Sequence, residues 1–152
     1  THCGIIYINS NGTYVLEASK KVKLTPLNEW IQRGVNNNYV IKRLKNASTI
    51  LTPGSTVNLN KIGTSYLGKQ YDIAFGWSDD KMYCSELIWK IYKKAIGIEI
   101  GKTQTLRDFD LRSKPVLTKI KERYGNKIPY NELVISPKAV FDSELLVTVI
   151  DN

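Results

Sequence analysis

The stretch KMYCSELIWKIYKKA, residues 81–95, decides how this chain is read. Cys84, Leu87, Ile88, Ile91 and Ala95 fall at i, i+3, i+4, i+7 and i+11, which is one face of an α-helix. Lys90, Lys93 and Lys94 take the other side, and Gly97 supplies a terminator. Leu87, Ile88 and Ile91 would anchor such a helix in a core. Cys84 stands at its first turn, where two readings compete. It is a small core residue, or it is a nucleophile at a helix N-terminus, where backbone N–H groups and the helix dipole favour a thiolate. The same N–H groups can receive the oxyanion of an acyl-transfer intermediate.

The 152 residues suit one domain, 1–152, with a core of its own, and 42% hydrophobic against 24% charged residues excludes a disordered or fibrous chain. The longest helical pattern, residues 87–100, is broken by lysines, Gly97 and Glu99, so nothing reads as a membrane span. The balance of 22 Lys+Arg against 14 Asp+Glu gives +8. A basic surface favours anionic partners, such as an anionic wall polymer or a membrane surface. The cations are scattered, from Lys20 to Arg123, with no nucleic-acid motif among them, so no specific nucleic-acid partner is expected. Two cysteines and one histidine make neither a disulfide framework nor a zinc-ligand pattern, so no metal or organic cofactor is expected. The opening, THCGIIY, lacks both an initiator Met and a signal pattern, which suggests missing upstream sequence and leaves export open.

Around the central helix the pattern is mixed. HCGIIYI and TYVLEAS flank NSNG, so residues 3–18 read as a β-hairpin. If the hairpin strand starts at His2, Cys3 points to the face opposite His2 and reads as a small core residue. KKVKLTP continues as a short strand. TPLNEWIQRG carries helix punctuation, with Thr25 as N-cap, Pro26 at the first helical position and Gly34 as stop. NYVIKRLK is a strand. Leu59, Ile62, Tyr66 and Leu67 suggest a helix ending near Gly68. Residues 103–130 are mixed, with a short helix near 116–124. A short helix follows Ser136-Pro137, and LLVTVID is a terminal strand. Together these make an α+β chain, an antiparallel sheet or partial barrel packed on the Cys84 helix.

A nucleophilic thiol needs a base, and His2 is the only imidazole available. The hairpin decides whether His2 has an orienting carboxylate. With a loop of residues 9–12, Ile8 faces Thr13, Gly4 faces Glu17 and His2 faces Ser19. His2 and Glu17 are then diagonal neighbours on one face, about 7–8 Å apart at the backbone. A tight Asn11-Gly12 turn shifts the register and separates them by on the order of 14 Å. Turn preferences alone favour the tight turn, so a catalytic reading requires the wider one.

HCGII, YVLEAS, TPLNEWIQRG, GKQYDIAFG and YCSELIWKIY together resemble the permuted, YiiX-like branch of the NlpC-type cysteine peptidases, which have a circularly permuted papain-like fold. In that branch the histidine strand precedes the cysteine helix, the order His2, Glu17, Cys84 found here. The resemblance implies Cys84 as nucleophile, His2 as base and then acid, and Glu17 as orienting carboxylate. It also places Tyr71 of GKQYD near the oxyanion site. Related sequences carry a GD and an apolar strand upstream of the histidine, which this sequence lacks. The implied activity is hydrolysis of an amide through a thioester acyl-enzyme, on peptidoglycan stem peptides or related small amides. Two alternatives stand beside it: an acyltransferase or thioesterase on lipids, similar to lecithin:retinol acyltransferase-like proteins, and a non-enzymatic wall- or polyanion-binding module.

Overall fold

The computed structural model describes residues 1–109 and 114–152. Its first sheet has three antiparallel strands in sequence order, β1 (Ile5–Asn9), β2 (Gly12–Ala18) and β3 (Val22–Pro26). Pairing runs Ile5↔Leu16, Tyr7↔Tyr14, Ile8↔Thr13 and Asn9↔Gly12. This is the register of the wider loop, with one more pair closed, so that the turn is Ser10-Asn11. The Asn11 N–H donates to Asn9 Oδ1 at 2.8 Å, and Gly12 accepts a φ of 140° just after it.

Thr25 and Pro26 were expected to start a helix, but they end β3, and α1 spans Leu27–Gln32. The reason is that Thr25 has better partners in the sheet. It pairs with Val15, and its hydroxyl donates to buried Glu17 at 2.5 Å. A two-stranded antiparallel sheet joins β4 (Val40–Leu44) to β9 (Leu146–Asp151). Between them in sequence come α2 (Ala47–Ile50) and α3 (Pro53–Ser65), the latter capped by Thr52, whose Oγ1 accepts from the Ser55 N–H at 3.2 Å. Short β5 (Gln70–Tyr71) and β6 (Lys81–Met82) pair in parallel, Tyr71 opposite Met82.

The helix read from residues 81–95 is α4, Cys84–Ile96. Gly97 closes it in the left-handed region at φ 73°, its N–H returning to the Lys93 carbonyl at 3.0 Å. α4 lies between two apolar clusters. Leu87 and Ile91 pack with Leu16, Val22, Tyr66 and Met82, while Ile88 packs with Leu44, Tyr83, Ile135 and Val140. The rest of the chain supplies β7 (Gln104–Thr105), α5 (Lys114–Tyr124), β8 (Leu133–Val134) and α6 (Pro137–Phe141), whose cap is Ser136 Oγ accepting from the Ala139 N–H at 3.0 Å. The mixed stretch over 103–130 includes residues 110–113, which lie outside the described residues. Among the described residues no helix is long and apolar enough to cross a membrane.

Lys90 departs from the sequence reading. It was placed on the solvent side with Lys93 and Lys94, yet it is only 4% exposed. The loop after Tyr71 folds over it. Its ammonium meets Glu86 Oε1 at 2.7 Å and Asp79 Oδ1 at 2.9 Å, and donates to the carbonyls of Trp77 and Ser78.

Candidate active site

Cys84 is the first residue of α4, and its position is fixed from both sides. The Tyr83 hydroxyl accepts from the Ile135 N–H at 3.0 Å, and the Ser85 hydroxyl donates to the Ile135 carbonyl at 2.6 Å. The backbone of one residue just beyond β8 thus clamps both neighbours of the thiol. Glu86 Oε2 accepts from the Tyr83 N–H at 3.3 Å, closing the helix start. Ser85 and Tyr83 carried no signal of this in the sequence, because their partner lies about fifty residues away.

His2 reaches the site from the segment ahead of β1. Gly4 allows the approach: a Cβ there would stand 2.4 Å from Val15 Cγ1 and 2.8 Å from the Leu16 carbonyl oxygen. His2 Nε2 and Glu17 Oε2 are 2.5 Å apart. With Nε2 committed to Glu17, Nδ1 is the nitrogen left for the thiol of Cys84. Glu17 is fully buried on β2, and its other oxygen accepts from Thr25 and, at 2.7 Å, from Arg33. Burial alone would push the Glu17 carboxyl up. The bonds from His2, Thr25 and Arg33 outweigh that and hold it down, at about 2. Thr25 could have been found from the β2–β3 register, in which it is diagonal to Glu17 on one face. Arg33 had no such signal, since it arrives from beyond α1.

The two reactive groups polarise each other. The thiol of Cys84, through its hydrogen bond, and then Glu17 raise His2 from 6.5 to about 9 against the opposing effect of burial. A hydrogen bond from Cys3, and then His2, pull Cys84 far below an ordinary thiol although burial opposes this. Both shifts run toward a thiolate beside an imidazolium.

Cys3 therefore corrects its sequence reading. Residues 1–4 precede β1, so strand alternation does not apply to them, and both His2 and Cys3 turn to Cys84. Cys3 is half-buried and packs at the edge of a core cluster, as its small apolar side chain suggested, but on the same side as His2.

Tyr71 also lies at the thiol. Its place opposite Met82 carries it to the strand that leads into α4. Burial, then the charge on Cys84, raises its phenol to about 12, so it stays a proton donor. The loop beyond it is stitched down: Asp72 accepts from the Ala74 and Gly76 N–H groups, each at 2.8 Å, Glu132 accepts from the Trp77 N–H at 2.8 Å, and the Tyr124 hydroxyl donates to the Ala74 carbonyl. Arg123 stacks on Phe75 of that loop, 4.2 Å from the ring centroid.

Glu86 is a structural acid. Burial raises it from 4.5 to about 7 even beside Lys90, whose ammonium stands 2.7 Å from Oε1. Lys90→Met strands this carboxyl, and the cost is expected to approach about 3 kcal/mol only in mildly alkaline solution, where the wild-type carboxyl is ionised. The unfolded chain releases the Glu86 proton near 4.5, whereas the folded variant holds it to above about 7. The wild type also holds the proton to about 7, so the Glu86 part of the loss relative to wild type is absent at about pH 5 and grows above about pH 7, which urea unfolding at about pH 5 and about pH 9 measures.

An α+β chain with mostly antiparallel strand pairing, in which the histidine segment precedes the cysteine helix, has the chain order of a permuted papain-like hydrolase. Residues 1–150 match the model of the family described as permuted papain-like amidase enzyme, YaeF/YiiX, C92 family. The chain belongs to that family, and so to the cysteine peptidases and amidases. It is 45% identical over 149 residues to the uncharacterized protein YiiX of Escherichia coli K12, covering 98% of this chain and 72% of the relative. The crystal structure of metalloprotein yiiX from Escherichia coli O157:H7 superposes with a TM-score of 0.93 at 43% identity, covering all of this chain and 83% of that one. Among the described residues of this chain, no group of three or more His, Cys, Asp or Glu side chains is placed to hold a metal ion.

Proposed function

We propose that this amidase cleaves its substrate through a thioester on Cys84. The observation that carries this is the chain of contacts from the thiol to His2 and from His2 to Glu17, buried and bonded at 2.5 Å. The Cys84 thiolate attacks the carbonyl carbon of the scissile amide. The oxyanion is received by N–H groups at the start of α4 and by the Tyr71 hydroxyl. His2, protonated at the outset, gives its proton to the leaving amine, and the thioester forms. The neutral imidazole then takes a proton from water, the hydroxide attacks the thioester, and the acid leaves as the thiolate is restored. Glu17 keeps the ring oriented and stabilises the imidazolium.

The substrates suggested by the sequence's resemblance to NlpC-type peptidases are peptidoglycan stem peptides or related small amides. A net charge of +8 supports attraction to an anionic wall or membrane surface. The test is digestion of purified murein peptides by the wild type. The expected products carry one new amino and one new carboxyl terminus. Intact stem peptides, with acyl groups taken instead from added phospholipid onto Cys84, would contradict the peptide reading in favour of lipid acyl transfer.

A further inference from the structure

The nucleophile has a second sulfur beside it that the hydrolytic cycle does not consume. Cys3 and Cys84 are the chain's only cysteines, and both are free thiols. The Cys3 side chain packs against the cluster that holds Tyr83 and Ile88, the residues one before and four after Cys84. From there its side chain and backbone lie near enough to act on the ionisation of the Cys84 thiol. The pair is asymmetric. Cys84 carries the negative charge, and its proximity, then burial, hold Cys3 strongly in its protonated form. In such a pair the thiolate meets an oxidant first and the neighbour is kept in reserve.

We infer that Cys3 and Cys84 form a reversible oxidation site, in which Cys3 traps peroxide-oxidised Cys84 as an intramolecular disulfide. The thiolate of Cys84 attacks one oxygen of a peroxide. The O–O bond breaks, Cys84 becomes a sulfenic acid, and hydroxide leaves with the electron pair. The negative charge that held the proton on Cys3 is then gone. Cys3 loses its proton to that hydroxide and attacks the Cys84 sulfur. The S–S bond forms as the S–O bond breaks, and the hydroxyl departs as water with one further proton, available from the His2 imidazolium. An external dithiol reverses the reaction by exchange. A disulfide requires close Cα atoms. Cys84 is rigid on α4, but Cys3 lies on the irregular segment ahead of β1, where the backbone can adjust. The consequence is that the nucleophile is protected from irreversible oxidation and hydrolysis is switched off in oxidising surroundings.

The inference uses the reactivity of Cys84 proposed above but needs no substrate. The test treats reduced full-length chain with a small excess of hydrogen peroxide and reads intact mass, peptide maps and thiol labelling. The expected result is a monomer lighter by about 2 Da, a Cys3–Cys84 crosslinked peptide and no labelling until dithiothreitol is added. Cys3→Ser and Cys3→Ala are expected to gain about 16 and then about 32 Da on Cys84, the latter not recovered by dithiothreitol. Wild type that gains about 32 Da on Cys84 with Cys3 still open to label, or that crosslinks only between molecules, overturns the inference. Alkylation of reduced Cys84 separates the two readings. Fast alkylation without the crosslink removes only the oxidation site. Slow alkylation removes the nucleophile.

Discussion

Cys84→Ser is expected to lower amide hydrolysis by at least on the order of 10³-fold while shifting stability by less than about 1 kcal/mol. The loss has a specific cause. The shifts of Cys84 and His2 favour a thiolate beside an imidazolium, and a serine hydroxyl does not ionise under the same influences. The nucleophile would then need a neutral base, whereas the thiol, with its hydrogen bond, is the largest cause of the His2 shift. His2 is the chain's only histidine, so its imidazole resonances can be followed without assignment of others. They are expected to titrate at about 9 in the wild type and to move toward 6.5 in Cys84→Ser. Stability is preserved because the exchange is nearly isosteric and the new hydroxyl has polar neighbours in His2 and Tyr71. Single-turnover hydrolysis and urea unfolding measure the two effects. More than about a tenth of the activity surviving would show that the thiol is not the attacking group.

Glu17→Gln is expected to reduce kcat by roughly 10²–10⁴-fold, with a stability loss of about 2–3 kcal/mol. The amide can still accept from Thr25 and Arg33 through its oxygen. It then turns an NH₂ group toward His2 Nε2, which removes the acceptor that fixes the ring and the charge that stabilises the imidazolium. The stability loss falls below that of a fully buried broken pair because the Arg33 side chain is 45% exposed and can rehydrate. Linkage gives the pH sense. Glu17 falls from 4.5 to about 2 on folding, so its contribution is full above about 4.5 and is lost as the pH falls through 2. The wild-type advantage over Glu17→Gln should therefore shrink in acid. Equal kcat values would reduce Glu17 to a structural carboxylate.

The central helix was legible because its periodicity and its glycine stop describe the same object, whereas the grouping of His2, Glu17 and Cys84 came from the family resemblance and not from those residues alone. The hairpin register was legible only as one of two choices, since residue pairing depends on a turn that sequence preferences slightly misjudge. Thr25 misled because threonine before proline is a helix-start pattern, and only the sheet shows that its hydroxyl is wanted by Glu17. Lys90 misled because a helical face opposite Leu87 is solvent-facing unless a loop covers it, and the Trp77–Asp79 segment does. Cys3 does pack at the core edge, but its place on the same side as His2 was missed by extending strand alternation over residues 2–4, ahead of β1. The Ile135 clamp on Tyr83 and Ser85 had no local pattern from which to read it.

The ion pair is tested most directly by the pH dependence of Cys84 alkylation with iodoacetamide, read by peptide mass so that Cys3 is scored separately. The rate is expected to follow a thiol of about 4, near its plateau already in weak acid. In His2→Ala the midpoint is expected to move up by about one pH unit or more, so that the rate falls by up to about tenfold in acid at and below the wild-type midpoint and recovers toward neutrality. A rate that rises only toward pH 9, as for an ordinary thiol, and is the same with and without His2 would contradict the thiolate–imidazolium pair.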